Sequence, residues 1–144
     1  MRCNHGFTLL EILISLSIIS ILAVIAVPIY LDYEVQARIT EGFVVADPVK
    51  NMVMEYYETN GTWPGSNAAA ALDAPASFKT NYVDAISVVG NAGGSAITIT
   101  YSIPALGANN TIILTPNNVA GNFVKWSCQQ GTVANKFRPA SCRS

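Results

Sequence analysis

A long hydrophobic segment lies near the start of the chain. Residues 7–31 are mainly apolar and contain one charged residue, Glu11. At about 1.5 Å per residue, a helix of this length reaches about 37 Å, which is enough to cross a hydrocarbon core of about 30 Å. A secretory signal peptide has a shorter apolar core that is followed by a small-residue cleavage site. The pattern therefore predicts a transmembrane helix, with a simple membrane anchor as one interpretation.

The pattern becomes amphipathic after Pro28. Apolar residues recur at steps of three and four over residues 32–60, which is the spacing of one helical face. The predicted buried face comprises Leu31, Val35, Ile39, Phe43, Ala46, Val49, Val53 and Tyr56. The pair Asn60-Gly61 predicts the end of the helix, because glycine readily adopts the left-handed cap conformation. Pro48 lacks a backbone N–H and is predicted to bend or interrupt this helix.

The rest of the chain, residues 61–144, is predicted to form a globular head. Residues 96–103 alternate without exception, with Ile97, Ile99, Tyr101 and Ile103 on one side. Strands are predicted over residues 82–89, 96–103, 111–115 and 122–128. Short strands with tight connections predict an antiparallel meander that packs one face on the amphipathic helix. The predicted class is therefore α+β, a long N-terminal helix packed on a four-stranded antiparallel sheet.

The composition argues against an enzyme. Hydrophobic residues make up 51% of the chain and charged residues only 12%, compared with about 25% charged residues in an average soluble domain. The one histidine is His5, and no carboxylate side chain follows Asp84. If the N-terminus is processed, no histidine is left for a general base, a catalytic triad or a metal site. We expect no enzymatic activity, no metal and no cofactor.

Glu11 is unusual for a membrane anchor. An ionised carboxylate near the hydrocarbon costs several kcal/mol unless it is paired. No lysine or arginine lies within one helical turn of Glu11. Cleavage after Gly6 would create a positive partner, because Phe7 would then carry a free α-amine.

The run GFTLLE at residues 6–11, followed by about twenty apolar residues, resembles the class III leader and helix of type IV prepilins. The resemblance implies that residues 1–6 are a leader peptide that stays cytoplasmic. It also implies that a prepilin peptidase cuts between Gly6 and Phe7 and methylates Phe7. Glu11 would then pair with a terminal amine during filament assembly. Pro28 and Pro48 match the helix-bending prolines of this family.

Removal of the leader would also reduce the number of cysteines from three to two. Cys3 is lost, while Cys128 and Cys142 remain. An exported domain in an oxidising compartment would pair them, and closing a loop of this size is worth about 3 kcal/mol. Two free buried thiols are the alternative. The segment from Trp126 to Cys142 also resembles the disulfide-bounded C-terminal loop of type IVa pilins, which implies that Cys128 and Cys142 are bonded.

The resemblance implies a structural function. A type IVa pilin is an inner-membrane precursor that the pilus assembly machinery polymerises into a homo-oligomeric, retractable fibre on the cell surface. Such a fibre would serve adhesion, twitching motility and DNA uptake. The alternatives are a minor pilin and a type II secretion pseudopilin. Less favoured is a competence pilin that binds DNA.

Charge is distributed unevenly along the chain. Residues 7–84 hold nine acidic and three basic residues, whereas residues 85–144 hold four basic residues and no acidic ones. The four cations are Lys125, Lys136, Arg138 and Arg143. They are candidates for contact with the acidic helix of a neighbouring subunit, and the DNA backbone is a weaker candidate because four charges are few. Ser144 resembles the C-terminal serine that carries an O-linked glycan in some type IVa pilins, although an ordinary polar terminus fits equally.

Overall fold

The computed structural model describes residues 6–91, 94–118 and 124–143. Three sequence predictions fall partly or wholly outside these ranges: the first five residues of the leader, the start of the fourth strand at residues 122–123, and Ser144. The main elements are α1 Leu9–Asn60, β1 Val83–Asn91, β2 Gly94–Tyr101, β3 Thr111–Asn118 and β4 Val124–Gly131. The chain divides into two compact units, residues 1–34 and residues 35–144.

In the first unit, α1 exposes its apolar side chains over its whole circumference. Leu9 is 81% exposed and Ile21 is 66% exposed. By length and composition, α1 is able to cross a membrane. The hydroxyls of Ser15, Ser17 and Ser20 donate to the carbonyls one turn earlier, at 2.8, 2.9 and 2.7 Å. These hydroxyls therefore need no partner outside the helix, which suits an apolar surrounding.

The helix continues through both prolines for 52 residues. The predicted interruption at Pro48 is therefore wrong, while bends at Pro28 and Pro48 stay a prediction. The predicted helix end is confirmed: Gly61 has a φ of 68°, and its N–H donates to the Tyr57 carbonyl at 2.8 Å. Glycine adopts this left-handed conformation without the steric cost that a Cβ would bring.

The predicted meander is confirmed, since the sheet order is β1-β2-β3-β4 and each pair is antiparallel. The third strand is longer than predicted, however, since β3 continues past residue 115 to Asn118. Pairing of β3 with β2 ends at Leu114, so the ladder between these two strands does not extend to Pro116. Proline is tolerated beyond the end of a ladder, because a missing N–H there breaks no hydrogen bond of that ladder.

The core of the second unit lies between α1 and the sheet. The helix contributes Val35, Ile39, Gly42, Ala46, Val49 and Val53. The sheet contributes Ile86, Ile97, Ile99, Tyr101, Ile112 and Leu114. The predicted helical face is thus largely confirmed, although Leu31 is 52% exposed and Phe43 is only partly buried. Gly42 occupies the central position of the buried face in place of Phe43.

Tyr101 explains why glycine stands at this position. The Tyr101 hydroxyl donates to the Ile39 carbonyl at 3.0 Å. A Cβ at position 42 would lie 2.6 and 2.7 Å from the Cε1 and Cζ atoms of the Tyr101 ring. Burial raises the pKa of Tyr101, so the hydroxyl stays protonated and remains a donor at neutral pH.

Asn67 ties the segment after α1 to the outer edge of β1. Its Nδ2 donates to the Ile86 carbonyl at 3.0 Å and to the Asp73 carbonyl at 3.1 Å. Its Oδ1 accepts from the Val88 N–H at 2.6 Å. Because Asn67 is buried, these bonds satisfy strand groups that water cannot reach.

We predict that Gly42→Ala destabilises the chain, contrary to the usual effect of this change in a helix. Alanine is normally favoured over glycine in a helix interior by about 1 kcal/mol. Here the added Cβ would overlap the Tyr101 ring, and overpacking costs about 1–3 kcal/mol. The measurement is thermal and chemical unfolding of the full chain in detergent.

The matched control is Gly65→Ala, because no atom lies within 4 Å of a Cβ built there. This variant is expected to unfold within about 0.5 kcal/mol of the parent. A Gly42→Ala chain as stable as the parent would contradict the proposed contact.

Candidate functional site

The predicted processing site lies in an exposed, non-helical segment directly before α1. Gly6 and Phe7 precede α1 and are exposed, and Phe7 is 78% exposed. The Thr8 hydroxyl accepts from the Glu11 N–H at 3.2 Å, so Thr8 caps the helix. A backbone that is neither helical nor buried is the form a peptidase can bind.

Glu11 lies in the first turn of α1 with its side chain exposed. A carboxylate at this end of a helix interacts favourably with the helix dipole. That interaction is small beside the cost of placing a carboxylate near hydrocarbon. The helix dipole therefore does not offset this cost, and the exposed Glu11 carboxylate is accessible to a cation from another molecule.

The C-terminal loop is closed by a disulfide between Cys128 and Cys142, whose Cα atoms are 4.8 Å apart. Cys128 belongs to β4, and Cys142 ends a short 3₁₀ turn, Ala140–Cys142. Cys142 is fully buried. The predicted pairing is therefore present, and the alternative of two free thiols is wrong.

Arg138 is not a surface cation. Its side chain is buried, with 4% exposure. The guanidinium donates to the carbonyls of Val133 at 2.7 Å, Gly131 at 2.9 Å, Cys128 at 3.5 Å, and Gln129. The predicted role of Arg138 in partner contact is wrong, because its donors point into the loop. The sequence offered one signal: with no acidic residue after Asp84, carbonyls were the main local acceptors for this cation.

The other three predicted cations, Lys125, Lys136 and Arg143, are exposed. The Lys136 ammonium lies 4.4 Å from the centroid of the Phe137 ring, and the Lys136 carbonyl accepts from Gln36 Nε2 at 2.7 Å. The Arg143 Nε donates to the Arg138 carbonyl at 2.9 Å. The exposed basic group is thus smaller than predicted, which weakens the case for DNA.

An aromatic cluster that the sequence pattern does not reveal lies near the end of α1. Tyr57 and Trp63 stack with ring centroids 4.2 Å apart, and Trp63 meets Trp126 edge-on at 6.5 Å. Such contacts stabilise beyond the area they bury. They join the helix exit to β4. Among the residues that the structure describes, no group of three or more His, Cys, Asp or Glu side chains could hold a metal ion.

Comparison with known proteins adds two family matches. The model of the pilin family, described as a bacterial filament protein, matches residues 35–143. The model of the prokaryotic N-terminal methylation motif matches residues 1–27.

Individual relatives align over nearly the whole chain. The fimbrial protein EcpC of Eikenella corrodens is 39% identical, covering 99% of this chain and 93% of its own length. A type IV major pilin protein PilE1 of Neisseria gonorrhoeae is 35% identical, with 97% and 94% covered. The fimbrial protein of Neisseria meningitidis serogroup B is 33% identical, with 96% and 80% covered.

Proposed function

The chain belongs to the pilin family of bacterial filament proteins, and on this premise we propose that it is the structural subunit of a type IV pilus. The observation that carries the proposal is the apolar half of α1. Its large side chains are exposed over residues 7–31, so they need lipid or other copies of the same helix to cover them. The methylation motif over residues 1–27 supports the same assignment.

The proposed life cycle has two stages. The precursor is held in the inner membrane by α1, with the leader in the cytoplasm. Prepilin peptidase then cuts between Gly6 and Phe7 and methylates Phe7. The exposed, non-helical backbone at these two residues supports this step.

Assembly is proposed to transfer the apolar half of α1 from the bilayer into a bundle of identical helices. Because the apolar surface stays covered in both places, the transfer is close to neutral in free energy, and separate motor proteins can drive it in either direction. Glu11 pairs with the terminal amine of a neighbouring subunit, which gives the incoming helix its register. Bends at Pro28 and Pro48 would adjust the helix to this bundle.

The proposed work of the fibre is mechanical and not catalytic. A retractable surface fibre serves adhesion and twitching motility, with DNA uptake as a further use. A minor pilin and a type II secretion pseudopilin share the leader and Glu11, so they remain the alternatives. Retention of DNA by purified fibres at low salt would favour a competence pilin that binds DNA. Absence of retention would exclude that alternative.

The exposed lysines of the head, Lys125 and Lys136, are proposed to contact the acidic helix of a neighbouring subunit. Glu55 and Glu58 offer exposed carboxylates on that helix. Such contacts act mainly on the specificity and the rate of association.

We predict that protein sheared from the cell surface has the mass of residues 7–144 with one added methyl group and two hydrogens lost. Intact-mass spectrometry tests cleavage, methylation and the disulfide together. A further hexose-sized increment would indicate modification, with Ser144 as the first position to examine. Protein that keeps residues 1–6 in the membrane would contradict the proposal, and processed protein that is never sheared would favour the minor pilin or pseudopilin.

Glu11→Ala is expected to allow cleavage and methylation but to abolish fibres, because the incoming helix loses its charged partner. Sheared fibres and processed subunit are measured in the same cells. Asp73→Ala is the matched control, since it removes an exposed carboxylate that lies outside α1 and outside the proposed contacts. Abundant fibres from the Glu11→Ala strain would disprove the assigned role.

Reversing both lysines, Lys125→Glu and Lys136→Glu, is expected to lower the fibre yield while leaving the processed subunit unchanged. The reason is repulsion between the new carboxylates and the acidic helix. Lys79→Glu serves as the control, because Lys79 is an exposed lysine outside the basic group whose ammonium lies 3.1 Å from Asp84. Equal fibre yields from the parent and the double variant would show that these lysines do not contribute a contact needed for assembly.

A further inference from the structure

Two separate connections hold the C-terminal loop against β4. One is the disulfide between Cys128 and Cys142. The other is the guanidinium of Arg138, which donates to carbonyls along the stretch from Cys128 to Val133. Both connections join the same two pieces of chain, and they use different chemistry.

The carbonyls that Arg138 binds include those of a β-bulge. Ile113 pairs with Gln130 and Thr115 pairs with Ser127, so β4 has two residues, Cys128 and Gln129, opposite Leu114. A bulge leaves a residue outside the regular ladder of strand hydrogen bonds, so its backbone groups need partners other than the neighbouring strand. Both bulge carbonyls accept from Nη1 of Arg138.

The guanidinium suits this task because of its charge and shape. It stays protonated at any physiological pH, and its planar fork presents five N–H donors. Hydrogen bonds from a charged donor are about twice as strong as those between neutral groups. An arginine that is 4% exposed therefore favours the closed loop, in which its donors are used.

Arg138 is also tied closely to Cys142. The Cys142 N–H donates to the Pro139 carbonyl at 2.9 Å, and Arg143 Nε donates to the Arg138 carbonyl at 2.9 Å. The segment from Arg138 to Arg143 is thus a compact unit. Holding the Arg138 side chain at the bulge brings Cys142 next to Cys128.

We propose that Arg138 closes the C-terminal loop independently of the disulfide and positions Cys142 for oxidation. With both thiols reduced, the guanidinium keeps the loop on β4. Oxidation by a small disulfide such as glutathione disulfide then proceeds through a mixed disulfide, and the second thiol displaces glutathione. The two protein thiols lose two electrons and two protons, and the oxidant is released as two thiols. The inference concerns the folding of the head and does not depend on fibre formation.

The first test measures the effective concentration of the two thiols. The chain carrying Cys3→Ser, in which Cys128 and Cys142 are the remaining cysteines, is equilibrated in detergent with mixtures of reduced and oxidised glutathione. It is then quenched in acid and alkylated, and the oxidised fraction is read by mass. Arg138→Gln is expected to lower the effective concentration by about tenfold or more, since one charge-assisted hydrogen bond is worth about that factor. Arg138→Lys should fall between the two, because an ammonium cannot reach all of these carbonyls.

Lys136→Gln is the matched control, as it removes a positive charge from the same loop while keeping the Arg138 contacts. It is expected to match the parent. An Arg138→Gln chain with the effective concentration of the parent would overturn the proposal. So would an equal fall in the Lys136→Gln chain, because that would reflect net charge and not positioning.

The second test removes the disulfide altogether. In a chain carrying Cys128→Ser and Cys142→Ser, the loop amides of Phe137 and Arg138 should remain protected from hydrogen exchange, whereas adding Arg138→Gln should expose them. Protection of β1 and β2 reports in the same experiment that the rest of the head is folded. Loop amides that exchange equally fast in both chains would show that the disulfide alone closes the loop, and the proposal would fail.

Discussion

The contact between the Tyr101 ring and Gly42 sets the distance between α1 and the sheet. Because position 42 carries no side chain, the ring lies against the helix backbone and its hydroxyl reaches the Ile39 carbonyl. Tyr101 ends β2, which pairs with β1 on one side and β3 on the other. The placement of the meander on residues 35–60 therefore depends strongly on this close approach. The aromatic contacts of Trp63 with Tyr57 and Trp126 join the helix to the sheet a second time.

The two parts of α1 differ in how they are covered by the rest of the chain. From Val35 onward, one face of α1 is buried against the sheet and its acidic residues lie mainly on the outside. Up to Leu31 the apolar side chains are exposed. This division accounts for a chain that is 51% hydrophobic but only 12% charged, since much of its apolar surface is not used for its own core.

Local signals predicted the helix and the meander, because periodicity and turn residues act over a few positions. The cysteine pair was predicted from the expected oxidising compartment and from the resemblance to type IVa pilins. The features that were missed depend on contacts between distant segments. The spacing of apolar residues along the helix predicted that Phe43 is buried. Instead Gly42 is buried, because it packs against Tyr101, whose hydroxyl bonds a carbonyl 62 positions away. Asn67 bonds Val88 over 21 positions. Arg138 was placed on the surface because the pattern of a polar loop does not reveal which of its cations is buried.

The outer strands of a four-stranded sheet carry backbone groups that could pair with a strand of another molecule. On β1, the Asn67 amide occupies the Ile86 carbonyl and the Val88 N–H. On β4, Arg138 occupies the carbonyls of the bulge and of Gly131. At these positions neither edge is a template for strand addition. Where these groups are occupied, heads packed side by side would meet through side chains, and surface residues there could change without exposing unpaired strand groups.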